Sequence, residues 1–346
     1  MAQKQTAASS SIPKRFPITD IIWVITGRGK MQVLFFLMFI LLFPLLAAFL
    51  KQINYIMEFR IQGNPDYPWP QYSDFWLTAK TVAALFVVQT FMKYALLPFT
   101  QKTISEKYQG QERTDRAKRQ LDSIFKGSYF VFAIVFGYIV AKDSYFFPVL
   151  LGGRGEARLM FKDFPYQTTE EFPLIREYLL VQLGYHTHSF IVHVFSKPRN
   201  DFIEMLLHHS MTVFLISLAY LMNYVCGSLL ILVTHDVSDF CVYLTRVFVD
   251  TNNTKATVVS YSLLMTSWIY TRLFIFPYEL IYWGTYYSIA FEEIYGIWLM
   301  GAMLHFLLVL HIYWFYLLIK MGMRFAKKGT TKDLQHNLTK KSQQAH

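Results

Sequence analysis

Residues 201–239 read DFIEMLLHHSMTVFLISLAYLMNYVCGSLLILVTHDVSD, two apolar runs with His208-His209 near the start of the first and His235-Asp236 and Asp239 inside the second. An imidazole or carboxylate in hydrocarbon is costly unless it faces a partner or a polar cavity, so ionisable groups inside a span read as a functional site. The stretch predicts two membrane helices that do chemistry, or bind a polar group, within the bilayer.

The rest of the chain agrees with a membrane setting. Over 346 residues it is 54% hydrophobic and only 16% charged, with Phe 32 and Tyr 23 supplying most of the aromatic content. Mean hydropathy is +0.28. Such a composition excludes an ordinary soluble domain. A helix needs about 20 apolar residues to cross the hydrocarbon core. That length places spans at Met31–Leu50, Phe75–Leu97, Gly127–Ala141, Pro173–Val194, Glu204–Val225, Gly227–Val247, Ala256–Tyr278 and Gly296–Ile319. The expected fold is an all-α polytopic membrane bundle of about eight transmembrane helices. Its divisions are a basic cytosolic tail (1–30), two spans with a basic cytosolic loop (31–126), a block of six spans (127–324) and a second basic tail (325–346). No internal repeat is visible.

Basic residues orient the bundle, because Lys- and Arg-rich loops stay in the cytosol. They gather in the amino-terminal tail, between Lys102 and Lys126, at Lys197, Arg199, Arg246 and Lys255, and in the carboxyl tail. The opposite side carries Lys51, Arg60, Lys142, Arg154, Arg158 and Lys162. Both termini are expected in the cytosol, with the glycine-bearing loop from Asp143 to Phe172 on the far side as a cap. The net charge of +10 then reflects topology and attraction to anionic headgroups, with no nucleic acid as partner. Residues Met1–Arg15 contain no acid, as in a mitochondrial transit segment, but Pro13 and Pro17 interrupt any long amphipathic helix. The sequons at Asn252 and Asn337 fall on the cytosolic side and are expected unmodified. Cys226 and Cys241 lack CxxC spacing and read as small packing residues, with no metal site implied.

Helix periodicity groups the ionisable residues. Thr212 lies four residues after His208 and three after His209, where its hydroxyl could hold a ring nitrogen. In the next span His235 and Asp239 are four apart and Asp236 and Asp239 three apart, one stripe with an imidazole and two carboxylates. That pairing suits acid–base work, since a carboxylate fixes a histidine's tautomer and stabilises its protonated form. Both groups fall in the cytosolic half of their antiparallel spans. His186, His188 and His193 crowd the fourth span without a carboxylate and read as packing or interface residues. His305 and His311, six apart, share no face and read as unrelated.

The run from Asp201 through His208-His209 and Thr212, then Tyr220 and Asn223, then His235-Asp236-Val237-Ser238-Asp239, resembles the Lag motif of the ceramide synthases within the TLC-domain superfamily. The resemblance covers roughly Gly127 to Arg324, and the motif itself aligns without a gap. It implies sphingolipid biosynthesis in the endoplasmic reticulum membrane, while the acid-free amino terminus leaves a mitochondrial membrane as the alternative. The reaction implied is transfer of a fatty acyl group from acyl-CoA, as co-substrate, to the amine of a sphingoid base, with no bound cofactor and no metal. By the same resemblance His208 and His209 are the catalytic pair and Asp236 and Asp239 the acidic pair. His235 and Asn223 complete the polar lining, supported by Thr212, Tyr220 and Asp201.

The chain departs from the family pattern at Asn200, at Cys226 and Ser228 in place of Arg and Gly, and at Tyr243 and Arg246 in place of Glu and Lys. These departures leave open a second reading, a non-catalytic TLC-domain lipid-binding or assembly subunit. Partners beyond lipid and substrates, whether a second copy or a larger membrane complex, also stay open. A b-type haem between His208 or His209 and His235 fits poorly beside two carboxylates. The histidine boxes of di-iron hydroxylases are absent.

Overall fold

The computed structural model describes residues 47, 50–51, 53–167, 172–196, 201–287 and 297–328. The expected tails and most of the first span therefore lie outside the described residues, as does the sequon at Asn337. The described residues are helical almost throughout: α1 (Phe75–Thr103), α2 (Gly110–Ala141), α3 (Ile175–Val194), α4 (Phe202–Leu221), α5 (Val225–Phe248), α6 (Thr254–Ser267) and α7 (Ile297–Lys328). Ahead of them residues 53–63 are helical, so the helix expected to stop at Leu50 runs past Lys51 and Arg60. Among the described residues six helices are long and apolar enough to cross a membrane, namely α1 with the turn before it, α2, α4, α5, α6 with its continuation, and α7.

The boundaries correct two expectations. The basic loop expected from Lys102 to Lys126 is mostly helix: α1 runs to Thr103, α2 begins at Gly110, and only 104–109 remain between them. Charged side chains on the first turns of α2 are solvated or paired, so they do not stop helix propagation. The seventh span extends far beyond Tyr278. From Trp268 to Tyr287 the helix continues with π-type, i→i+5 hydrogen bonding and Pro277 inside it, a geometry concentrated at functional sites.

At the end that carries the basic turns, α1 and α2 are tied to the turn after α5. Ser105 N donates to Asp250 O over 3.0 Å, Gln120 Nε2 donates to Val247 O over 2.9 Å, and Arg116 pairs with Asp250. Asn253 caps α6, its side-chain oxygen accepting from Ala256 N at 3.0 Å. At the opposite end Asn223 takes a left-handed φ of +61° in the three-residue turn between α4 and α5, a conformation asparagine tolerates well.

α5 is the centre of the bundle and the most deeply buried of the candidate spans. It packs closely on α2, where a Cβ on Gly137 would sit 2.6 Å from Val233 Cγ2, and it also meets α3 and α6. α1 is built the other way round. Its buried residues are Thr78, Gln89 and Thr100, while Trp76, Val87, Phe91, Tyr94 and Phe99 are exposed. Apolar side chains turned outward and polar ones inward suit a helix whose outer face meets lipid.

We propose that the basic end is cytosolic, as the charge distribution implies. Single cysteines in place of Arg154 and of Lys118, both exposed, are expected to react with an impermeant thiol label from opposite sides of sealed vesicles. Cys226 and Cys241 are buried and give little background. Labelling of both positions from one side overturns this topology.

Candidate functional site

His208 stands six residues into α4 and Asp239 nine before the end of α5, about 9 and 13 Å from their basic ends at 1.5 Å per residue. The two doublets thus share a depth. Their connection is a path of rings. The His208 ring lies 5.5 Å from that of His209 and 5.2 Å, edge-on, from Trp314 of α7. Trp314 lies 6.3 Å from His311, and His311 lies 5.0 Å from His235. On the other flank His193 of α3 lies 5.6 Å from His209.

His208 and His209 sit where α4 is packed loosely. Every residue from Ile203 to Phe214 is half-buried, and α4 leans mainly on α3, approaching α5 and α7 only sparsely. A helix with one face on a core and one on lipid alternates between buried and exposed positions. Uniform partial burial marks this stretch of α4 as loosely packed on every side. On this stretch the Nδ1 atoms of His208 and His209 are buried and make no hydrogen bond.

A residue absent from the sequence reading organises the other half of the site. Arg272, on the π-helical stretch, is 1% exposed. It donates to Asp239 Oδ1 and Ser238 Oγ, each at 2.6 Å, to His311 Nε2 at 2.8 Å and to the His235 carbonyl at 3.3 Å. Its guanidinium carbon lies 4.7 Å from the Trp268 ring centroid. Because arginine only donates, Nε2 of His311 accepts and its ring proton sits on Nδ1. His235 Nδ1 lies 2.6 Å from the Ile231 carbonyl and must donate to it, which leaves Nε2 of His235 as a buried lone pair without a partner.

Several expected roles change. Neither carboxylate holds a histidine. Asp239 is taken by Arg272, and Asp236, 1% exposed, turns toward α3 and accepts from Gln182 Nε2 and from Tyr178 Oη at 3.2 Å. His235 shares a helical face with Asp239, yet its own helix carbonyl satisfies it first. The Thr212 hydroxyl likewise donates to the His208 carbonyl at 2.8 Å instead of a ring nitrogen, the usual back-bond of a mid-helix threonine. Asp201 occupies the N-cap position of α4, two turns before His208. Tyr220 and Asn223 belong to the opposite end, Tyr220 about 18 Å from His208 along the axis of α4 and Asn223 in the turn just beyond it. Tyr220 Oη donates to Asp74 Oδ2 at 2.7 Å. Asn223 Nδ2 donates to Pro165 O at 2.7 Å and to Tyr67 Oη at 3.0 Å. These bonds fasten α4 to the far-side loops and do not bring either residue to the histidines. Tyr220→Phe is accordingly expected to lower stability by about 1 kcal/mol, read as a lower Tm in detergent, with turnover retained.

The remaining histidines separate. His188 packs between Phe86 at 4.4 Å and Phe125 at 5.7 Å, the packing role expected of it. His193 Nε2 lies 3.0 Å from the Phe202 carbonyl and joins α3 to α4. His305 pairs with Tyr286 Oη at 2.8 Å and is indeed unrelated to His311. Only His311 was undervalued, because its partners come from other helices. A lone arginine in the apolar span Ala256–Tyr278 was a signal that could have led to it.

A family model described as the TLC domain matches residues 121–320. The chain belongs to the TLC-domain family. The matched residues include α3 to α6, most of α2 and most of α7, and so all the residues of the ring path. Among curated proteins, this TLC-domain chain is 27% identical to ceramide synthase hyl-1 of Caenorhabditis elegans over 65% of its length and 62% of the relative's. It is 24% identical to ceramide synthase hyl-2 of the same organism over 81% of this chain and 88% of that one. It is 30% identical to ceramide synthase 4 of Mus musculus over 52% of this chain and 46% of that one. The chain thus spans nearly all of one such relative and less than two thirds of the others.

Proposed function

We propose that this TLC-domain protein is a ceramide synthase-like N-acyltransferase of the endoplasmic reticulum membrane, moving a fatty acyl group from acyl-CoA to a sphingoid base amine. The observation that carries the reading is the His208-His209 pair, with unpartnered Nδ1 atoms on a loosely packed stretch of α4 at the depth of Asp239. Similarity to the ceramide synthases supports it. The acceptor amine is protonated at neutral pH and must lose a proton before it can attack. An imidazole at His208 or His209 takes that proton as general base. The amine nitrogen then bonds to the thioester carbonyl carbon and gives up a second proton, the C–S bond breaks, and the coenzyme A thiolate takes one of the two protons to leave as the free thiol while the other passes to solvent. One amide is formed and one thioester consumed. On the other flank the Arg272–Asp239 pair fixes His311 and the backbone of His235, so that this wall of the site does not move as charge develops.

The test is direct. Purified full-length protein in lipid, given mixed acyl-CoAs and sphinganine, is expected to yield the amide, detected by mass spectrometry. Protein that binds either substrate but forms no amide rejects the reading in favour of a lipid-binding or assembly subunit.

A further inference from the structure

Four rings on the path carry a buried nitrogen without a partner, Nδ1 of His208, His209 and His311 and Nε2 of His235. They are not equivalent. On His208 and His209 the free nitrogen belongs to the bases of the proposed reaction. His235 donates from Nδ1 to the Ile231 carbonyl, so its free nitrogen is an acceptor. His311 is the reverse case. Arg272 Nη1 occupies its Nε2 at 2.8 Å, arginine cannot accept, and the ring proton therefore sits on Nδ1, the atom left over. Of the four, His311 is the one whose bonds fix the free atom as a donor. With its lone pair taken by Arg272, this ring has no free site on which to receive a proton and does not serve as a base.

His311 is 0% exposed, and the rings of Phe276 at 5.2 Å, Trp268 at 6.0 Å and Trp314 at 6.3 Å give its N–H no lone pair to bond. His235, at 5.0 Å, has one but is not bonded to it. A buried donor left unmade costs about 1–3 kcal/mol, and an acceptor that arrives with the substrate removes that cost. The thioester carbonyl is such an acceptor. As the amine nitrogen bonds to the carbonyl carbon, the C=O π pair moves onto oxygen, and it returns when the C–S bond breaks. An N–H held at that oxygen in a low-dielectric site stabilises the charge without giving up its proton. The reach is sufficient. The rings of His208 and His311 both flank Trp314 and can stand no further apart than steps of 5.2 and 6.3 Å laid end to end. Base, amine nitrogen, carbonyl and donor in line span about 10 Å, from two hydrogen bonds, a near-attack contact and a C=O bond. Resting on the N-acyltransfer reading, we propose that His311 is a further catalytic residue, donating from Nδ1 to the thioester oxygen, and that Arg272 is the positioning residue that fixes its ring as a donor.

The experiment compares wild type with His311→Phe and His311→Asn as full-length protein in lipid nanodiscs. His311→Phe keeps a ring but no N–H, and is expected to lower kcat by about 100- to 1,000-fold, the scale for one oxyanion donor, with the KM values for acyl-CoA and sphinganine little changed. His311→Asn places an amide N–H at the same distance from the backbone and is expected to lose less. A second measurement needs no turnover. Infrared spectra of an acyl-CoA isotope-labelled at its thioester carbonyl, bound to the His208→Ala protein, are expected to show the carbonyl stretch at lower frequency than in free acyl-CoA. Adding His311→Phe should abolish that shift, which a merely structural role for His311 would leave in place. A near-wild-type kcat in His311→Phe, equal losses in the Phe and Asn variants, or a carbonyl band that does not respond to His311 would each overturn the proposal. Wild-type protein that binds acyl-CoA with a shifted carbonyl yet forms no amide would defeat the N-acyltransfer reading alone. Amide formation at undiminished kcat in His311→Phe would defeat the role of His311 alone.

Discussion

His208→Ala and His209→Ala are expected to lower N-acylation by roughly 100- to 10,000-fold, the range for loss of a general acid–base group, while the protein stays folded. The structural reason is that neither ring holds the bundle together through Nδ1, and both stand on a stretch of α4 that is only partly packed. Removing them takes away chemistry and little cohesion. Asp239→Asn is expected to lose activity on a similar scale through the Arg272 wall. Asp236→Asn should lose activity together with stability, because the carboxylate is buried against Gln182 and Tyr178. His305→Ala, on a different face with Tyr286, should retain most turnover. The measurement is initial rate against a Tm taken in the same detergent. Near-wild-type rates in both histidine variants would remove α4 from the mechanism.

Arg272→Met is expected to be the most destabilising single change. It leaves the Asp239 carboxylate in the membrane interior without its cation, a loss of about 3–5 kcal/mol for a broken buried pair. Three further acceptors, Ser238 Oγ, His311 Nε2 and the His235 carbonyl, lose their donor at the same time. Combining Arg272→Met with Asp239→Asn should recover part of that stability, since neither charge is then stranded, but should not recover turnover. A double-mutant cycle in thermal unfolding measures the coupling, expected at about 0.5–3 kcal/mol for residues in contact. Additive losses would show that the pair does not act as a unit. Arg272→Lys keeps the charge but not the planar fork that spans several acceptors, and an intermediate result is expected.

The motif residues were legible in the sequence because their grouping is local. A spacing of three or four puts side chains on one face of a helix whatever that helix packs against, and apolar run length locates the helix. Partners were not legible, because helix-to-helix contacts are set by rotation and tilt. His235 and Asp239 share a face, yet one bonds its own backbone and the other an arginine 33 residues away. Arg272 also sits on a π-helical segment, where the 3.6-residue period used to assign faces no longer holds. Tyr220 and Asn223 belong to the motif in sequence but to the far end in space, since a helix carries its residues apart by 1.5 Å at each step. Charge run length failed for the loop between α1 and α2 for the opposite reason, since a basic stretch can be helix as readily as loop.

α4 is fastened at its basic end, where His193 meets Phe202, and at its far end, where Tyr220 and Asn223 are bonded. Between those anchors it is loosely held. A long-chain molecule that enters or leaves alongside such a helix passes through a slot of fixed length and variable width. Bowing of the helix then limits the thickness of what passes, such as one hydrocarbon tail or two, and sets no limit on tail length.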